Sequence, residues 1–378
     1  MTKPNLPLVV DLDGTLTPTD TLAEAVIQLI RQSPANLALL VFQLFRGRAA
    51  FKQYVASRSS FSARTLPIRE PLLTYLRAEK TKGRQLVLAT ASHESVAKQV
   101  ASHVGIFDHA IGTQGKTNLK GENKLRAIRR TVGERFVYAG DSAADLPIWK
   151  AAEAAILVGA PRRVALTVRA STPIEWELAR RQPRLATWVK ALRIHQWLKN
   201  LLIFVPLVTA FSFMDVQSLL TSTIAFIAFS LAASAGYIVN DLWDLENDRH
   251  HPYKRARPLA NAEISISSAI SVSAITLLAA LFLASTISLQ FAFLIVFYLL
   301  LTSAYSWLLK SYFIIDVIAL SVLYTLRIIA GSIAIEVPTS TWLLAFSVFI
   351  FLSLALVKRC SELVSLKTVD GEATRGRD

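Results

Sequence analysis

The sequence predicts two architectures in one chain: an α/β domain built on a doubly wound parallel sheet with a helical cap, then an all-α bundle that crosses a membrane several times. Three observations predict it. Valine- and leucine-rich runs at residues 6–12, 85–89 and 136–139 alternate with helical patterning, the mark of a buried parallel sheet. From about Trp197 to Val357, apolar runs of span length alternate with short polar breaks. Charged residues are spread throughout the sequence up to about Arg193 and after it fall mostly in those breaks.

Taken in order, Leu6–Leu12 reads as a strand ending in a polar loop at Gly14. Thr21–Arg77 is mostly helical, interrupted near Ser33–Pro34 and Pro67, and reads as a cap inserted after the first strand. Within it Ala35–Phe45, ANLALLVFQLF, is too short to cross a bilayer and is expected to be a buried cap helix. The α/β domain is expected over 1–158, and a basic connector with Pro161, Pro173 and Pro183 over 159–192. The membrane domain is expected over 193–365 and a polar tail over 366–378.

Six spans are expected, at about 197–214, 218–239, 265–285, 288–309, 313–335 and 340–357, each near the ~20 residues a bilayer requires. The N-terminus, MTKPNLPLVVDLDGT, has no basic segment followed by a long apolar stretch, so the first domain is expected to be cytosolic. The turns at 215–217, 286–287 and 336–339 then fall outside and carry no Lys or Arg, while 240–264, 310–312 and the tail after Val357 fall inside and are basic, as the positive-inside rule requires. The expected location is the plasma (inner) membrane, multi-pass.

A net charge of +14 and a pI near 10.0 suit nucleic acid, an anionic membrane surface or a phosphorylated substrate. The cations cluster beside spans, as in Lys254, Arg255, Arg257 and Lys358, Arg359, with no nucleic-acid module around them. Nucleic acid is therefore not an expected partner; the lipid bilayer is. The single cysteine, Cys360, excludes an intramolecular disulfide and a cysteine-rich metal site.

Two constellations carry chemistry. Asp11 and Asp13 follow the first strand as Asp-x-Asp-Gly-Thr, where loops leave the sheet and ligands bind. Such a pair can hold a hard cation or supply a nucleophile, or it can simply form an Asx-turn. Thr90 follows the second strand with a hydroxyl for phosphate, Lys124 opens a helix with a positive charge, and Asp141 and Asp145 follow the third strand; Lys120 is a weaker alternative to Lys124. In this order the four elements resemble the haloacid dehalogenase superfamily of phosphatases. The resemblance implies that Asp11 attacks phosphorus, Asp13 protonates the leaving alkoxide, and Thr90 and Lys124 orient and neutralise the phosphoryl group. It also implies a magnesium site drawn from Asp11, Asp13, Asp141 and Asp145.

The second constellation ends the second expected span: Asn240, Asp241, Asp244 and Asp248. On one helix the three aspartates fall at i, i+3 and i+7 and share a face, an arrangement suited to magnesium that bridges carboxylates and phosphates. Lys254, Arg255 and Arg257 lie downstream; Arg193, Gln196, Lys199 and Asn200 gather at the first span's entry; Tyr305 and Lys310 lie at the fourth span's exit, and Asp316 at the fifth span's start. Arg327 sits well inside the fifth span, where a cation is functional or ion-paired by default. Asp316 is about 16 Å away along a helix and is not its obvious partner.

This pattern resembles the UbiA superfamily of intramembrane prenyltransferases. Arg193-x-x-Gln196-Trp197-x-Lys199-Asn200, Lys254-Arg255-x-Arg257-Pro258 and Lys358-Arg359 before Glu362 look most like its decaprenyl-phosphate phosphoribosyltransferases. Asp316 alone stands for a second aspartate motif, which argues against an ordinary prenyl-diphosphate donor. That family has more spans than the six counted here, so the resemblance implies a C-terminally incomplete bundle. The expected function is magnesium-dependent transfer of 5-phosphoribose from phosphoribosyl diphosphate to a polyprenyl phosphate, with the attached phosphatase removing the 5-phosphate. The rivals are an aromatic prenyltransferase using a prenyl diphosphate, and a phosphatase with a membrane anchor.

Overall fold

The computed structural model describes residues 6–33, 35–59, 61–114, 118–180, 182–309 and 312–368. The chain forms two compact units, one joining the α/β domain to Leu242–Ser267, the other joining Trp188–Asp241 to the helices after Ser268.

In the first unit the sheet is wholly parallel: β1 (Leu8–Val10), β2 (Leu86–His93), β3 (His109–Thr113), β4 (Val137–Gly140), β5 (Ala154–Val158) and β6 (Ile174–Leu178), in the order β3-β2-β1-β4-β5-β6. Leu8 pairs with Leu86 on one side and Val137 on the other. Leu8, Val9 and Val10 are fully buried, as a central strand covered on both faces must be. The winding reverses between β1 and β4, so the loops after these strands flank the crevice in which such sheets bind ligands.

The connector expected over 159–192 is corrected. It contains α8 (Arg162–Ser171), β6 and α9 (Leu185–Ala191), and β6 pairs with β5 from Ala155↔Ile174 onward. Pro161 is the residue that caps α8, opening a helix, where proline is tolerated. Glu175 and Glu177 alternate with Ile174, Trp176 and Leu178, which pack on the core. This is an edge strand with one wet side.

The cap follows β1 as α1 (Thr21–Gln32), α2 (Asn36–Phe45) and α3 (Arg48–Arg58). Asp20 caps α1 by accepting from Ala23 N at 2.9 Å. Ala25, Leu29, Leu40 and Val55 form a small core of their own. The expectation of a buried α2 is corrected: only Leu40 is buried, while Leu37, Leu39, Val41, Phe42, Leu44 and Phe45 are exposed. A helix that packs through one stripe covers only that stripe, and this sequence is apolar around its whole circumference.

After the cap come α4 (Glu70–Thr81), α5 (Glu94–Val104), α6 (Glu122–Val132) and α7 (Leu146–Ala151). The Leu242–Ser267 segment, with α12 (Leu245–His250), packs in this unit too. Arg249 donates to both oxygens of Glu24 on α1 at 2.7 and 2.8 Å and to Ala260 O at 3.1 Å. Both side chains are 8% exposed, so this is a buried, bidentate charge pair.

In the second unit, five described helices are long and apolar enough to cross a membrane: α11 (Val216–Trp243), α13 (Ile266–Ile287), α14 (Leu289–Trp307), α15 (Phe313–Ala334) and α16 (Thr341–Thr368). The first expected span, 197–214, is corrected. It is broken into a tight 3-10 turn over Ile194–Phe204, the short α10 (Val205–Thr209) and a turn at Phe211. Pro206 lies at the start of α10 and has no N–H to extend the hydrogen-bond ladder of the turn before it. The 3-10 segment lies against α15, where a Cβ on Gly331 would meet Ile203 O at 2.0 Å. Small residues such as Ala225, Ala228, Ala232, Ala280 and Ala284 line the core and let helices approach closely.

Arg84 ties the edge strand to the sheet: its guanidinium donates to Glu79 at 2.8 Å, to Glu175 at 3.1 Å and to Leu6 O at 2.8 Å. Burial would raise both carboxyls, but Lys82 with Arg84 holds Glu79, and Arg84 with Tyr75 holds Glu175, below the usual range. Arg84→Met should cost about 3 kcal/mol at pH 7, measured by denaturation of the α/β signal. Because the two carboxyls titrate below their unfolded values, wild type loses this stabilisation as pH falls through the acid range. The gap between wild type and variant should therefore shrink near pH 4; a gap that widens there would contradict the assignment.

Candidate active sites

The first site is built where β1, β4 and α6 converge. Asp11 follows β1 and Asp141 follows β4. Asp145 ends a 3-10 turn in which Ser142 N and Oγ both donate to its Oδ2 at 3.2 Å. Each of these three carboxylates offers an oxygen within 4.8 Å of the others. Lys124, in the first turn of α6 and 4% exposed, places Nζ 2.7 Å from Asp11 and 3.7 Å from Asp145. It also donates to Tyr138 OH at 2.7 Å, which in turn donates to Asp145 at 2.7 Å. Gly14 allows the close approach, since its φ is +77° and a Cβ there would lie 2.3 Å from Asp141 Oδ2.

Burial pushes the Asp11 carboxyl up to about 8; Lys124 opposes the rise and Asp145 and Asp13 add to it. Burial, then Asp145, pushes Asp141 up to about 7. Burial would lower Lys124, yet Asp11 and Asp145 hold it above its usual value, so it is the charged partner. Three carboxylates around one ammonium leave excess negative charge in a dry site. A hard divalent cation with oxygen ligands fits that donor set.

Asp13 does not join the three. Its Oδ1 accepts from Thr21 N at 2.7 Å, and its Oδ2 accepts from Ser92 Oγ at 2.8 Å and Thr90 Oγ1 at 3.3 Å. Expected as a metal-binding carboxylate, it is held instead by donors from α1 and β2. Thr90 lies within β2, which continues to His93, rather than after it. Lys124, not Lys120, reaches Asp11. Sequence reasoning missed Thr15, which donates to Asp141 at 3.3 Å, and also Ser92 and Tyr138. Tyr138 had a signal, because on β4 it stands two residues before Gly140.

In the second unit Arg193, in a left-handed conformation with φ 51°, ion-pairs with Asp241 on α11 and stacks over Tyr237 at 4.8 Å. Asn240 Oδ1 is buried with no hydrogen-bond partner among the described residues. Asn200 Nδ2 donates to Ser230 at 2.9 Å, and Asn200 Oδ1 accepts from Arg327 Nε at 2.8 Å. Arg327, 5% exposed, also donates to Leu323 O and lies 5.3 Å from the ring centres of Phe229 and Tyr324. Asp316 is fully buried and accepts from Tyr305 OH at 2.7 Å and from Arg359; Arg359 as its partner was not foreseen. Lys199 is exposed, 3.3 Å from Gln196. Lys310 lies outside the described residues.

In the first unit Asp248, 2% exposed, accepts from Arg257 at 2.6 Å. Burial raises its pKa and Arg257 opposes the rise. Lys254 opens an exposed 3-10 turn. The expectation of Asp241, Asp244 and Asp248 on one continuous helix is corrected: α11 ends at Trp243, and Asp244, with φ −91° and ψ 10°, caps α12.

The haloacid dehalogenase-like hydrolase family matches residues 8–150, and the UbiA prenyltransferase family matches residues 201–376. The uncharacterized protein y4nM of Sinorhizobium fredii is 41% identical over 355 residues, covering 94% of this chain and 69% of that protein. Decaprenyl-phosphate phosphoribosyltransferase of Mycobacterium tuberculosis is 36% identical over 179 residues, covering 46% of this chain and 59% of that enzyme. Nodulation protein NoeC of Azorhizobium caulinodans is 35% identical over 181 residues, covering 48% of this chain and 59% of that protein. The chain thus spans about six-tenths of the length of the phosphoribosyltransferase it matches. It belongs to the UbiA prenyltransferase family over its membrane half and to the haloacid dehalogenase-like hydrolases over its α/β half.

Proposed function

We propose that the membrane half transfers 5-phosphoribose from phosphoribosyl diphosphate to a polyprenyl phosphate, and that the α/β half, on the cytosolic side, removes the 5-phosphate. The observation that carries this reading is Arg327. Among the described residues its partners are all neutral, namely Asn200, the Leu323 carbonyl, Tyr298 and three aromatic rings. A buried cation without a counter-charge is costly, and a phosphate or diphosphate oxygen supplies that counter-charge. The match to phosphoribosyltransferases supports the donor. Arg193 and Arg257, which neutralise Asp241 and Asp248, would pass to diphosphate oxygens as those aspartates and Asp244 take magnesium. Lys199, Asn240 and Lys254 would bind substrate beside them, and Tyr305 would keep Asp316 oriented. A polyprenyl-phosphate oxygen then forms a bond to the anomeric carbon as the bond to diphosphate breaks.

In the α/β half, Asp11, Asp141 and Asp145 would hold magnesium, which offsets the charge of the phosphoryl oxygens when bound. Asp11 attacks phosphorus, and the alkoxide leaves with a proton from Asp13, which Ser92 and Thr90 orient. Water activated by Asp13 then releases phosphate. Lys124 opposes the effect of burial on Asp11 and would neutralise the phosphoryl group.

Arg327→Leu, which places an apolar side chain among the rings of Phe229, Tyr298 and Tyr324, should leave the bundle folded yet lower transfer at least tenfold, read as lipid-soluble ribose label. Unchanged transfer would make Arg327 structural. Lys124→Met should lower hydrolysis of a soluble phosphomonoester by about two orders of magnitude while sparing transfer. Asp11→Asn should do the same and leave the lipid product 5-phosphorylated; a product still dephosphorylated with no other phosphatase present would give the α/β half a separate substrate.

A further inference from the structure

The cap carries a surface that phosphoryl chemistry does not use. Leu37, Val41, Leu44 and Phe45 lie at helical spacing on one face of α2 and are exposed, Phe45 by 87%, with Phe42 beside them at 60%. Single exposed apolar residues are ordinary, but a contiguous patch marks an interaction site. Its occupant is indicated by charge. Between residues 25 and 69 the sequence holds seven Lys and Arg and no Asp or Glu, with Arg31 before α2 and Arg46 and Arg48 after it. A second copy would bring the same cations against their like, whereas an anionic lipid surface complements them. At 10 residues, α2 is about 15 Å long, too short to cross a bilayer and suited to lie in its interface. The same chain carries five helices of span length, so a bilayer is within its reach.

We propose that α2 inserts its apolar face into the headgroup boundary of an anionic leaflet, and that the cap thereby presents the Asp11 site to a phosphate borne by a membrane lipid. The cap is joined to the site it would serve: Thr21 N at the start of α1 holds Asp13, and Lys52 of α3 donates to Ala91 O at 2.7 Å and Asn118 at 2.8 Å. The substrate half rests on the phosphatase reading above; the docking half does not.

Full-length protein carrying Cys360→Ser and Phe42→Cys, labelled with an environment-sensitive fluorophore, would be reconstituted in vesicles of phosphatidylglycerol and phosphatidylcholine with brominated acyl chains. Emission at position 42 should fall at least twofold, while the same label at Arg130→Cys on α6 is unaffected, and the quenching should weaken in phosphatidylcholine alone. A position-42 label quenched by aqueous iodide and not by bromolipid would overturn the docking, as would cross-linking of position 42 between two copies without bromolipid quenching. In the same vesicles, Val41→Glu with Phe45→Glu should lower kcat/KM at least tenfold on a lipid-borne phosphomonoester and leave a water-soluble one unchanged. Equal loss on both would assign the face to cap folding and overturn the presentation role. Failure of hydrolysis in the parent protein would count against the phosphatase reading alone.

Discussion

Lys124 and Asp11, 2.7 Å apart and almost wholly buried, are the contact around which the α/β half is organised. Two ionised carboxylates about 5 Å apart repel by about 3 kcal/mol at an effective dielectric of 20, and here three converge within 4.8 Å of one another. The ammonium from α6 offsets that repulsion where the loops after β1 and β4 meet. The supporting residues follow from that need: Tyr138 bridges Lys124 to Asp145, Ser142 fixes Asp145, and Gly14 lets the Asp11 loop approach Asp141. Three carboxylates around one ammonium are a donor set that suits a hard divalent cation.

The same rule governs the membrane half, where water cannot compensate charge. Asp241 is met by Arg193 and Asp316 by Arg359. Arg327 stands apart, held by neutral dipoles and ring faces. On the function proposed above, that side chain would meet a ligand's charge. The two halves therefore pose one chemical problem twice, and the pair of Arg249 with Glu24 fastens the loop that carries Asp248 to the cap within one compact unit.

What the sequence revealed depended on whether a residue's role was set by local pattern or by distant partners. Asp11, Lys124 and Asp141 were legible because each follows a strand or opens a helix, which fixes where its side chain can go. Ser92 and Thr15 were not, since a hydroxyl acquires meaning only from a partner distant in sequence, here Asp13 and Asp141; Tyr138 carried only the weaker signal of its place on β4. β6 was hidden because its outward glutamates interrupt the apolar run. Hydropathy counted 197–214 as a span because it averages over Pro206 and is blind to backbone geometry. The break of α11 at Trp243 was equally invisible, as the spacing of Asp241, Asp244 and Asp248 suits a helix whether or not the chain continues one. The exposed face of α2 was read as core for a related reason: apolar composition reports a need for a nonpolar neighbour without saying whether protein or lipid meets it.

The most direct test of the combined account follows two labels in one reaction. Purified full-length protein, reconstituted with a long-chain polyprenyl phosphate and magnesium, would be given phosphoribosyl diphosphate labelled with carbon-14 in the ribose and phosphorus-32 at the 5-phosphate. The account predicts that carbon-14 enters the lipid phase while phosphorus-32 is released as inorganic phosphate, with both labels appearing together in the lipid only early in the time course. Failure of carbon-14 to enter the lipid would contradict the transfer, and a lipid that keeps both labels in constant ratio would contradict the coupling.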